Sequence, residues 1–155
     1  MTITSEIAAE LTTTVQSAIE QLCTVDGKLL AHRPAPDRWT IKEVIGHLVD
    51  SAANNHQRFV RAQFTPELVF PKYEQNQWVG CQAYNDVEWS ELLGFWQAFN
   101  AHLAHVIRHV DPRALQVQCR IGDYPPVTLQ FLMEDYVVHL KHHLSKIRER
   151  VAGAK

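Results

Sequence analysis

Apolar residues recur every three or four positions through four long stretches. That period admits amphipathic helices and leaves no room for a strand-built domain. The first stretch runs from about Ser5 to Val25 on Ile7, Ala8, Leu11, Val15, Ala18, Ile19 and Leu22, and Asp26-Gly27 ends it. Prolines at 34 and 36 make residues 31–38 a loop, because each removes a backbone donor and restricts the residue before it. The second stretch opens on a capping box, Thr40 with Glu43, and Trp39 is placed to staple onto Val44. Its stripe of Ile41, Val44, Ile45, Leu48, Ala52 and Phe59 continues to about Gln63. The third begins at Asn85 or Asp86 as cap and carries Trp89, Leu92, Leu93, Trp96, Phe99, Leu103, Val106, Ile107 and Val110 up to Asp111-Pro112. Thr128, after Pro125-Pro126, caps the fourth, which reaches about Val151. Between the last two, residues 116–121 alternate and read as a short strand or an extended arm.

Helices of about 20 residues are rods of roughly 30 Å, and rods with one apolar face each pack as an all-α four-helix bundle. A chain of 155 residues is one such domain, residues 1–155. The connection over 64–85, with Pro66, Pro71 and Gly80, is longer than loops in compact domains usually are. It is expected to pack as structure of its own or to serve a site, and it allows helices two and three to run parallel with a crossover. The net charge of −2 supplies no field to hold nucleic acid or anionic lipid. The N-terminus shows no basic stretch followed by an apolar one, and no apolar run is long enough to span a membrane. Cys23, Cys81 and Cys119 are far apart with no CxxC, which fits reduced cytoplasmic thiols buried as small hydrophobes.

The chemistry lies in the nine histidines. Taking roughly 100° per residue with Tyr136 at zero, His143 falls at about −20° and His139 at about −60°, in or beside the apolar stripe, and His142 falls outside it at about −120°. His139 and His143 therefore point inward, four residues apart, at the spacing of a metal clamp. His102, His105 and His109 share the polar flank of the third helix, and His32 and His56 have no metal-spaced partner. His47, at the shoulder of the second stripe, offers a third ligand. Three neutral imidazoles hold Zn²⁺ or a similar divalent ion and leave positions open for water or substrate. The spacing also admits three histidines packed in a core, since it does not place helices two and four side by side.

Trp39-Thr-Ile-Lys-Glu-Val-Ile-Gly-His-Leu-Val-Asp50 resembles the W-s-x-x-E-x-x-x-H-L-x-D signature of the DinB/YfiT-like superfamily. Tyr136-Val-Val-His-Leu-Lys-His-His-Leu-Ser-Lys-Ile147 is similar to its second signature, Y-x-x-H-x-x-H-H-L-x-x-I, with Lys146 where Gln is common. The resemblance extends over nearly the whole chain. It implies a bundle in up-down-down-up order, usually a homodimer, and a divalent metal, Zn or Ni, on His47, His139 and His143. It also implies one of several activities: metal-dependent hydrolysis, thiol-dependent transfer or isomerisation, or none.

Around that centre, Asp50 lies one turn beyond His47, where it could orient an imidazole or take a proton. Arg58 could grip a substrate carboxylate, and Tyr136 could donate a hydrogen bond near the metal. A metal-activated hydroxide would make the protein a hydrolase of a small molecule. A metal-bound thiolate would make it a thiol S-transferase or isomerase. A filled coordination sphere would make it a non-catalytic metal-binding stress-response module, and histidines packed without metal a plain structural bundle. Trp78, Trp89, Trp96 and the 64–85 segment supply more apolar surface than four stripes need, which a second copy of the chain would cover.

Overall fold

The computed structural model describes residues 1–155. In chain order its elements are α1 (Ile3–Leu22), α2 (Gly27–Leu30), α3 (Ile41–Ala62), β1 (Glu67–Phe70), α4 (Gln75–Cys81), α5 (Trp89–Arg108), β2 (Gln118–Ile121), β3 (Val127–Thr128) and α6 (Leu129–Gly153), with 3-10 turns at Tyr84–Asp86 and Pro112–Ala114. Three of the four long helices begin on a threonine side-chain cap. Thr2 accepts from Ser5 N at 3.2 Å and Thr128 from Phe131 N at 3.1 Å. At α3 the expected box is complete, with Thr40 Oγ1 accepting from Glu43 N at 3.1 Å and Glu43 Oε2 from Thr40 N at 2.9 Å. Arg33 then forks onto both oxygens of that carboxylate at 2.9 Å.

Contacts at their ends and along their lengths fix the helix directions. Trp89 Nε1, at the start of α5, donates to Leu22 O at the end of α1 at 3.1 Å, so these two are antiparallel. Lys42 donates to Asn85 O at 2.9 Å, and His56 packs on Phe99 with centroids 5.7 Å apart, so α3 and α5 run parallel. Arg150 donates to Trp39 O at 2.7 Å, which sets α6 antiparallel to α3. Lys141 pairs with Glu10, and further along Leu144 and Ile147 face Ala18 and Leu22, so α6 is parallel to α1. The order is up-down-down-up around a ring α1, α5, α3, α6, as expected. Apolar side chains of all four join one cluster of 36 buried residues. No helix is long and apolar enough to cross a membrane.

Several boundaries differ from the sequence reading. The third long helix starts at Trp89, capped by Glu88 without a side-chain bond, rather than at Asn85 or Asp86. Asn85 is drawn elsewhere: it accepts from Thr40 Oγ1 at 2.7 Å and donates to Glu43 at 3.0 Å, joining the α3 cap. The first helix spans Ile3–Leu22 rather than 5–25, and 27–30 is a helical turn of its own. The crossover holds β1 and α4, and β1 pairs parallel to β2, which pairs antiparallel to β3. Residues 118–121 are thus a strand, turning into β3 at Gly122, whose φ of +56° is open to glycine. Of the cysteines only Cys119 is buried; Cys23 and Cys81 are exposed. The tryptophans pack largely within the chain, although the buried Trp96 Nε1 has no hydrogen-bond partner. Trp96 is fully buried, Trp89 is tied to α1, and Trp78 packs edge-on against Tyr73 at 5.2 Å.

One close approach ties the crossover to α3. A Cβ at Gly46 would overlap the ring of Tyr84, and this absence of a side chain lets Tyr84 lie flat on the helix. Gly94, on the exposed side of α5, has nothing within 4 Å of its would-be Cβ. Gly46→Ala is therefore expected to destabilise by about 1–3 kcal/mol through overpacking. Gly94→Ala should gain about 0.5–1 kcal/mol of helix propensity. Thermal melts of the two variants, moving in opposite directions, check the contrast.

Candidate metal centre

The antiparallel contact of α3 with α6 brings His47 opposite His139 and His143. His139 Nε2 stands 3.3 Å from His47 Nε2 and 3.1 Å from His143 Nε2, and the three ligand atoms lie within 4.8 Å of one another. His139 Nε2 has one lone pair or one proton, so it can satisfy only one of those neighbours by hydrogen bonding. Metal–nitrogen bonds of 2.0–2.1 Å in tetrahedral geometry put ligand nitrogens about 3.3 Å apart. The arrangement fits a divalent ion better than it fits a hydrogen-bonded cluster.

Burial prepares the imidazoles for that role. His47 is 1% exposed, and burial, with the neighbouring His143 and His139, pushes its pKa down to about 3. Burial takes His143 down to about 4 and also lowers His139, against the pull of Asp135. At neutral pH all three are uncharged, the form that ligates. Trp39 packs on His47 with ring centroids 4.9 Å apart. This role is more specific than the helix staple predicted for the tryptophan. His142 is exposed, as its angle requires, and His102, His105 and His109 lie on the exposed flank of α5.

The other candidates are placed differently from expectation. Asp50 does not orient an imidazole: its Oδ1 accepts from Tyr84 OH at 2.6 Å and Gln82 Nε2 at 2.7 Å, and His47 Nδ1 is buried without a partner. The reason is Gly46, which seats the Tyr84 hydroxyl against Asp50. Burial raises the Asp50 pKa, and the bonds from Tyr84 and Gln82 oppose that rise. Tyr136 OH is spent on Asn100 Oδ1 at 2.6 Å, away from the histidines. Its ring nevertheless lines a cavity of about 760 Å³ that reaches His139. Ser51, Asn55 and Arg58 form the α3 wall of that cavity, and residues 72–77 of the crossover lie across it. Asn55 and Tyr73 were not singled out from sequence. The spacing of Ser51, Asn55 and Arg58 at i, i+4 and i+7 is the signal that was available for the wall. A second cleft of about 370 Å³ reaches His143, lined also by Trp39, Lys146 and Arg150.

Two outcomes follow. His143→Ala should weaken divalent-metal binding by on the order of 100-fold or more with the helical circular dichroism retained, while exposed His142→Ala binds as the parent does; elemental analysis of both decides. Chelator-treated protein should also lose stability as pH falls from about 7 to 5. Unfolded imidazoles protonate near 6.5, whereas folded His47 and His143 stay neutral to about 3 and about 4. The unfolded state therefore binds more protons in that window, and stability rises with pH through it. Denaturant midpoints across the window measure the slope, which should be shallower in His143→Ala.

The chain is similar to known proteins in sequence and in fold. Over 110 residues, 70% of this chain, it is 26% identical to a protein of Oceanobacillus iheyensis named a "putative metal-dependent hydrolase". Over 116 residues, 72% of this chain, it is 25% identical to YfiT of Bacillus subtilis, which carries the same designation. The match spans 63% of the length of each of these curated relatives. The solved structure of Bacillus subtilis YfiT, described as an unusual four-helix bundle, superposes with a TM-score of 0.78 at 20% identity, covering 95% of this chain and 83% of that one. The family model of the DinB superfamily matches residues 10–147, and the chain belongs to that superfamily.

Proposed function

We propose that the protein is a metal-dependent hydrolase of a small molecule. The observation that carries this reading is the convergence of three neutral histidine Nε2 atoms beside a cavity of about 760 Å³ that one of them, His139, lines, a volume in the range that small ligands occupy. His47, His139 and His143 would hold the ion, Zn or Ni by the chemistry of an all-imidazole set. When bound there, a divalent ion supplies a water whose pKa is lowered toward neutrality. The chain's own residues do the remaining work. Burial keeps the three imidazoles unprotonated, Trp39 fixes the plane of His47, and the Asp50–Tyr84–Gln82 cluster pins the crossover to α3. With its hydroxyl committed to Asn100, Tyr136 serves as a wall of the cavity rather than as a proton donor. The hydrolase names of the two curated relatives support this assignment.

The test is a panel of chromogenic esters and amides offered to metal-loaded protein, with and without an added low-molecular-weight thiol. Hydrolysis without thiol, lost in His143→Ala and restored in the parent by metal after chelation, is the expected result. Turnover only with thiol would replace this reading by thiol transfer. A bound metal with no exchangeable water and no turnover would make the protein a metal-binding module.

A further inference from the structure

Arg58 is 9% exposed and lines the cavity, yet it makes none of the chain's six ion pairs. Its Nε has no partner at all. The side chain has one long contact to Asn55 Oδ1, 3.5 Å, and lies over the Phe70 ring at 5.5 Å. A buried cation so poorly matched is costly unless an anion joins it. The other lysine or arginine of the cavity, Lys72, is already paired with Asp123 at 2.8 Å. Glu74 and Asp135 also line the space, so Arg58 is its one cation without a carboxylate partner, and a single planar carboxylate matches the guanidinium fork.

We propose that Arg58 anchors a carboxylate of the ligand, at the far end of the cavity from the histidine centre. Its placement at the end remote from the reacting bond rests on the hydrolase reading; the carboxylate site itself does not. Arg58 follows His47 by 11 positions on one helix, a rise of about 16 Å that the side chain's lean toward the helix N-terminus shortens. The ligand is thus a small monocarboxylate on the order of 10 Å long, with its ester or amide bond remote from the acid.

Calorimetric titration of the full chain with propionate, hexanoate and 4-phenylbutyrate tests this, beside 4-phenylbutanamide as the uncharged control and inorganic phosphate. Each is run on metal-loaded and on chelated protein. Binding of the longer carboxylates is expected, at least about 10-fold tighter than the amide, and it persists after chelation. Arg58→Met should weaken it on the order of 10- to 100-fold, and Arg58→Lys should fall between. The Met variant should melt no lower than the parent, since it removes an unmatched buried charge. Unchanged binding in both variants overturns the proposal. So does binding that disappears on chelation, which would place the anion on the metal, and so does phosphate binding tighter than carboxylate or no carboxylate binding. No turnover is read, so failure of the hydrolase assignment would leave these results standing.

Discussion

Six of the nine buried polar residues in the protein sit on α3: His47, Asp50, Ser51, Asn54, Asn55 and Arg58. A bundle tolerates such a strip at its interior only if each group finds a partner, because an unmatched buried polar group costs free energy that one small domain can barely spare. Each element around α3 answers one part of the strip. α6 brings two histidines to His47, and the crossover brings Tyr84 and Gln82 to Asp50. Asn54 and Asn55 turn back on the helix's own carbonyls at 2.9 Å. The polypeptide supplies no partner to His47 Nδ1, Asp50 Oδ2 and Arg58 Nε on α3, nor to Trp96 Nε1 on α5, and of these residues Arg58 lines the cavity.

How much of this was legible depends on the range of the forces involved. The α3 cap is three residues long and the His139/His143 clamp four, so local rules expose both. The adjacency of α3 and α6 follows from which apolar faces meet across 92 residues, and only the family signatures anticipated it. β1 and α4 are too short to show a period. Asn85 reads as a helix cap because its composition permits one, yet its partners are Thr40 and Glu43, more than forty residues earlier. Asp50 was misplaced for a similar reason: its distance from His47 along the helix was right, but the competing donor, Tyr84, came from outside the helix. The clue was Gly46, since a glycine amid good helix formers signals something packed against it.

The depth of Arg58 was the least readable feature. Arginine on a helix usually reaches solvent. Here β1 packs over the end of α3 and Phe70 covers the guanidinium. The strands are thus part of the cavity's construction: β1 brings Phe70 to Arg58, and β3 leads directly into α6, the helix that carries His139 and His143.

Because α3 and α5 run the same way, the chain between them must travel back along the whole length of the bundle. A helix of 22 residues is about 33 Å long at 1.5 Å per residue, which sets a minimum on the connector that no shorter turn could meet. The molecule is therefore obliged to carry a long external segment, and residues 72–77 of it roof the cavity. The roof belongs to the connector and the histidines to the helices, so the two are separable in evolution. Substitutions and small insertions above the cavity can reshape what it admits without touching the bundle that holds the histidines. The parallel pair makes the scaffold one whose specificity can drift while its centre stays fixed.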